Sequence, residues 1–216
     1  MLAPWADQPY TLISTLPFSK DVRTSSLDIY SRISTNEHKT NPSCLTSIHL
    51  QAPHIPPPAA ADFVTYCKCW AESMHHHQDA EEALFFPDIE AVAGVEGLVA
   101  RNVEQHRAFA AGLEQFEAYW DCGAPLVGHL WDEIETLPAL EGYDSARLRE
   151  AYRRLEKALM ATDNQRIEPL VFGTADRTFE GGMHDFPSVP FSLRYVIHYV
   201  LRRRHRGAWR FNPSTM

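Results

Sequence analysis

One helical stripe constrains this chain more than any other feature. Phe63, Tyr66, Cys67, Trp70 and Met74 recur three and four residues apart, which places them on one face of a helix. Carried forward by the same steps, the stripe reaches His77, Glu81, Leu84 and Phe85. A face that should go on burying hydrocarbon therefore presents an imidazole and, one turn later, a carboxylate. A buried carboxylate without a partner costs several kcal/mol, so Glu81 requires a cation, a donor or a proton. His77 and Glu81 project side by side, an arrangement suited to a shared metal ion and equally to a His–Glu hydrogen bond within a core. On the same reading His75, His76, Asp79 and Glu82 point elsewhere, most of them into solvent.

Further segments repeat the pattern. Leu27, Tyr30, Ser34, His38, Asn41, Leu45 and Ile48 keep helical spacing from Ser25 to about Leu50, with a kink or break expected at Pro42, whose ring crowds the His38 carbonyl. Pro53 and the run Pro56–Pro58 end that element and predict an extended connection. The next helix runs from about Ala59 to Val92 with a bend at Pro87, and Gly94 and Gly97 mark its end. Leu98, Asn102, His106, Phe109, Leu113, Phe116 and Trp120 then form a stripe over Glu96–Trp120 that again carries one imidazole. After a break at residues 121–125, Leu126, His129, Glu133, Leu137 and Leu140 give a second His-x-x-x-Glu pair on a short helix. Asp144–Ser145 caps an amphipathic helix with Leu148, Tyr152, Leu155 and Leu159 on its face. Beyond Thr162 the pattern is irregular until a last helix over Pro190–Arg204, with Leu193, Val196, Ile197, Val200 and Leu201 on one side. Trp209 and Phe211 in the tail offer two apolar anchors that dock on the rest of the chain, or are left exposed for a partner.

Length and charge narrow the function. The chain has 216 residues, enough for a core, and a net charge of −8, which argues against a general nucleic-acid surface. No run of about 18 apolar residues predicts a membrane span. The N-terminal stretch does not read as a secretion signal. Cys44, Cys67, Cys69 and Cys122 lack zinc or disulfide spacing, so reduced thiols and a cytoplasmic location are expected. Three or four imidazoles with two carboxylates suit iron, manganese or zinc. Carboxylates on different helices of a bundle could bridge two such ions.

His38 with SIHLQAP ten residues on, HHHQDAEEALFFPDIE, NVEQHRAFAAGL and HLWDEIETLPAL together resemble the hemerythrin-like, His-His-Glu cation-binding family, in its fungal-type members. The resemblance covers about residues 4–142, with HRGAWRFNP at the end also similar. It implies an all-α, up-and-down four-helix bundle with additional C-terminal helices. The expected division is an irregular lead-in over 1–24, a metal-binding bundle over 25–142 and a helical extension over 143–216. His38, His77, Glu81, His106, His129 and Glu133 are the implied ligands, the six that periodicity selects. The implied cofactor is iron as a di-iron centre, or another divalent metal, with dioxygen as a partner and no nucleic acid or membrane. Asn102 stands where oxygen carriers of the family place another histidine, which points toward the His-poorer, iron-sensing branches. KTNPSC interrupts the first helix, and only eight residues separate Trp120 from His129, so the fourth helix is a stub. Two functions follow from different classes: a di-iron protein that binds dioxygen or senses iron or redox state, and a metal-free interaction module on the same fold. No separate acid–base pair points to an enzyme.

Overall fold

The computed structural model describes residues 43–116, 140, 143–159, 161, 165–175 and 190–213, and among them every regular element is helical. The protein is all-α. Residues 43–51 are helical (α1), followed by α2 (Ala60–Ala80), a π-helical turn (Glu81–Phe85), α3 (Phe86–Ala93) and α4 (Ala100–Phe116). Then come α5 (Ser145–Leu159), α6 (Ile167–Thr174) and α7 (Phe191–Tyr199), with 3-10 turns at Leu201–Arg203 and Ala208–Phe211. None of the described helices is long and apolar enough to cross a membrane. The described residues fall into two compact units, divided within α2 between Met74 and His75 and again after Ala161.

The first unit holds α1, the start of α2, α6, α7 and the tail. Phe63, Tyr66, Cys67, Trp70 and Met74 are all buried, as the stripe predicts. Cys69 and Ala71 are buried too, so this part of α2 is covered on more than one side. The prolines after α1 do not give the predicted extended connection. They support two 3-10 turns, Ala52–His54 and Pro57–Ala59, with only Ile55 and Pro56 extended between them. Proline at the first positions of a helical turn loses no hydrogen bond, because those N–H groups have no partner within the helix.

The tail docks. Trp209 and Phe211 are buried, and the Phe211 ring meets Phe63 edge-on at a centroid distance of 5.0 Å. The Phe211 carbonyl accepts from Ser47 Oγ at 2.6 Å and from Gln51 Nε2 at 3.0 Å. Arg210 reaches Asp62 at 3.1 Å, and His205 lies edge-on to Trp209. The Asn212 amide donates to the Pro169 carbonyl at 3.2 Å, and Gly173 leaves the space in which that amide lies. Cys44, Cys67 and Cys69 are buried thiols outside any disulfide, and the Cys44 thiol donates to Tyr66 Oη at 3.1 Å.

Two expectations about the C-terminal region fail. The stretch after Thr162 is not wholly irregular: α6 forms there, with Pro169, Leu170, Phe172, Gly173 and Thr174 all buried. A short helix covered all round has no polar face, so it carries no amphipathic period to read. The last helix is also shorter than expected: α7 ends at Tyr199, before a 3-10 turn at Leu201–Arg203. Of the residues on its apolar side only Ile197 is fully buried, whereas Val196 and, just past the helix, Val200 are exposed beside Phe191, Tyr195 and Tyr199.

The second unit holds the end of α2, the π-helical turn, α3, α4 and α5. Phe86, Ile89, Val99, Leu140 and Leu148 form its apolar cluster. Gly94 ends α3 at φ +68°, the left-handed conformation that favours glycine, and its N–H closes on Glu90 O at 2.8 Å. α4 starts at Ala100 rather than Glu96, after a turn that includes Gly97 at φ +76°. Asp144 caps α5 as expected: its Oδ1 accepts from the N–H groups of Ala146 at 2.9 Å and Arg147 at 3.2 Å. Leu148, Tyr152 and Leu155 are buried, and Tyr152 meets Phe85 edge-on while Arg154 grips both oxygens of Asp88 at 2.8 Å.

Candidate metal centre

The helix expected to run from Ala59 to Val92 with a bend at Pro87 instead contains a π-helical turn over Glu81–Phe85, and Pro87 is the second residue of α3 and does not break the helical path. A π turn takes in about one extra residue. The inward position after Glu81 accordingly moves from Phe85, which is half-buried, to Phe86, which is buried. The stripe therefore changes register at its first carboxylate.

Three of the six expected ligands lie among the described residues. Glu81 is only 3% exposed and His106 only 2%, and neither carboxylate nor imidazole of such burial persists without polar neighbours. His77 Nε2 stands 3.1 Å from Glu81 Oε1, close but not aligned as a hydrogen bond. His106, supplied by α4, brings its Nε2 to 3.6 Å from Glu81 Oε2, beyond hydrogen-bond length. Glu81 Oε2 is buried and has no hydrogen-bond partner among the described residues. Each oxygen of one buried carboxylate thus faces a different imidazole, from a different helix. Two donors held about 2.1 Å from one ion stand about 3 Å apart, so both separations are near those of neighbouring ligands.

The other ring nitrogen of His106 is also engaged. His106 Nδ1 donates to Glu82 Oε1 at 2.7 Å. Phe86 stacks on the ring at 5.4 Å and Phe109 meets it edge-on at 5.8 Å. Glu82 is exposed, as expected for most of the residues off the stripe, yet its carboxylate also reaches His106; His76 is half-buried, with its Nε2 3.0 Å from the Ala158 carbonyl. Asp79 is exposed as expected, and Asn102 is buried one turn before His106.

His38, His129 and Glu133 lie outside the described residues. Among the described residues, no three His, Cys, Asp or Glu side chains are grouped so as to hold a single ion. What the described part supplies is two imidazoles on opposite oxygens of a buried carboxylate, with a second carboxylate behind one of them.

Fold and site together define an all-α protein with a buried histidine–carboxylate cluster at a π-helical turn. Over 192 residues, 80% of this chain and 73% of the relative, it is 36% identical to the dimeric xanthone biosynthesis cluster protein R11 of Cryptosporiopsis sp. (strain 8999), and it belongs to the family of that protein. No family model and no solved structure matches the chain.

Proposed function

We propose that the chain is a non-haem metal-binding protein of hemerythrin-like type, holding a di-iron centre with which it binds dioxygen or senses iron or redox state. The observation that carries this reading is Glu81: a 3% exposed carboxylate with one oxygen lacking a hydrogen-bond partner among the described residues, set between two imidazoles. His77 and His106 would be terminal ligands, and Glu81, turning one oxygen to each, the carboxylate between two ions. His38, His129 and Glu133 would complete the set, and with it the up-and-down four-helix bundle. Bound iron supplies redox capacity and coordination positions open to dioxygen. The residues' own part is to exclude water and to fix the donors: Phe86 and Phe109 enclose His106. Cys44, Cys67 and Cys69, buried as thiols rather than disulfides, favour a reducing, cytoplasmic setting. Kinship with a protein named for a biosynthesis cluster favours a supporting role in biosynthesis over a general house-keeping one.

A metal-free interaction module on the same fold is the second reading, favoured by the Pro42 interruption and by the mere eight residues between Trp120 and His129. Metal analysis after anaerobic iron(II) reconstitution separates the two. About two irons per chain, with most of them lost in Glu81→Ala, is the result expected of a di-iron centre. A folded wild-type chain that retains no metal would sink the metal reading and leave the module.

A further inference from the structure

Resting on the metal reading, we propose that Glu82 is a positioning residue, which fixes the His106 ring so that Nε2 is turned to Glu81 and available to a divalent metal ion.

The two carboxylates near His106 are not equivalent. The Glu82 contact, 2.7 Å to Nδ1, is a short hydrogen bond of the charge-assisted kind. The Glu81 contact, 3.6 Å to Nε2, is too long to be one. A carboxylate oxygen accepts, so the hydrogen of the neutral imidazole resides on Nδ1 and the lone pair on Nε2. That lone pair faces Glu81 Oε2, an acceptor with no hydrogen-bond partner among the described residues. Two acceptors left facing each other inside a protein are unfavourable unless a proton or a cation lies between them, and Nε2 turned this way can take either.

A simple core pair would close the other way. His106 and Glu81 are both almost fully buried, so a structural hydrogen bond would form between them, and the half-exposed Glu82 would stay in water. Instead the exposed carboxylate holds the ring and the buried one is left over. This is the carboxylate–histidine–metal arrangement, in which an outer carboxylate sets the tautomer and orientation of a ligand.

Backbone geometry explains how consecutive residues share one ring. In a regular α-helix, neighbours diverge by about 100° and do not face a common partner. Glu81 and Glu82 open the π-helical turn, where the wider path brings them to opposite nitrogens of His106. π turns within α-helices are found often at functional sites.

The test uses the full chain, stripped of metal and titrated with cobalt(II), whose absorption reports the ligand field, and with iron(II) under anaerobic conditions. Glu82→Ala is expected to weaken binding by about 10–100-fold and to shift the cobalt bands. Glu82→Gln, which keeps an acceptor for Nδ1–H but not the charge, is expected to restore most of the affinity. Unchanged affinity in Glu82→Ala overturns the positioning role. So does an equal loss in both variants, which would mean that charge rather than orientation matters, and so does a loss that merely tracks a fall in the melting temperature of the metal-free chain. Loss of binding in Glu81→Ala alongside wild-type binding in Glu82→Ala would remove only Glu82's role. Failure of the folded wild type to take up either ion would remove the metal reading and this inference with it.

Discussion

Replacing Phe211 by Ala tests whether the tail holds the first unit together. The ring is 5% exposed and sits edge-on to Phe63 at 5.0 Å, with Tyr66 at 6.0 Å. Its backbone carbonyl is already satisfied by Ser47 and Gln51, so the substitution removes packing and leaves those hydrogen bonds available. Truncating a buried Phe costs about 3–5 kcal/mol, of which the aromatic pairing contributes about 0.5–1.5. For a chain of this size each kcal/mol lowers the melting temperature by about 2–4 °C, so a fall of roughly 6–20 °C is expected. Differential scanning calorimetry of the metal-free chain measures it directly. Deleting residues 206–216 should cost still more, because Trp209 is lost as well, yet should leave metal content unchanged in whatever remains folded. A shift in Phe211→Ala below about 2 °C would mean that the ring contributes under 1 kcal/mol, and the docking account would be wrong.

Three other outcomes are expected. Burial raises the pKa of Glu168 above its ordinary 4.5, so the folded chain binds that proton more tightly than the unfolded one, and the associated stability is lost as pH rises through the folded value. Glu168→Gln should therefore melt higher than wild type at neutral pH, with the advantage shrinking on acidification; an advantage independent of pH would refute this. Burial also pushes the Cys67 thiol up to about 12 and the Cys44 thiol well above its usual value, so in a Cys122→Ser background a thiol-specific disulfide reagent should label neither until denaturant is added. Gly173→Ala would drive a methyl group into the Asn212 side chain and displace its bond to Pro169, at a cost of about 1–3 kcal/mol read from chemical denaturation; wild-type stability would show that the tail repacks freely.

The parts of the fold that could be read in the sequence share one property, a helix with one wet face. Leu148, Tyr152 and Leu155 alternate with arginines and glutamates, and they are buried as their period demands. Phe63 through Met74 could be read for the same reason. The eight-residue α6 could not, because Leu170 and Phe172, about 200° apart around the helix, are both buried, and Pro169 and Gly173 argue locally against a helix. Tertiary contact supplies what propensity lacks: Gly173 makes room for Asn212, whose amide serves the Pro169 carbonyl. α7 fails in the opposite sense, for a spacing that suits burial of Val196 and Val200 leaves both exposed. Periodicity says which residues share a face, but not whether anything covers it.

In the candidate site, the same arithmetic that selected Glu81 concealed Glu82. Steps of three and four from Met74 lead to His77 and Glu81, and the structure buries Glu81 and brings both imidazoles to its oxygens. At Glu81 the helix widens, and spacing rules built on 3.6 residues per turn no longer say where a side chain points. The pairs Glu81–Glu82 and Phe85–Phe86 bracket the turn, so a carboxylate and an aromatic ring are present in either register and the hydrophobic pattern does not betray the shift. The physical trace of the shift is in burial, which passes from Glu81 to Phe86, and in the imidazole that Glu82 consequently reaches. Glu82 is 41% exposed at its side chain yet makes the shortest polar contact of His106 among the described residues, so exposure alone would have set it aside as solvated surface. Its importance follows from what it holds: a ring 2% exposed, enclosed by Phe86 and Phe109, whose second nitrogen has only one useful direction to face.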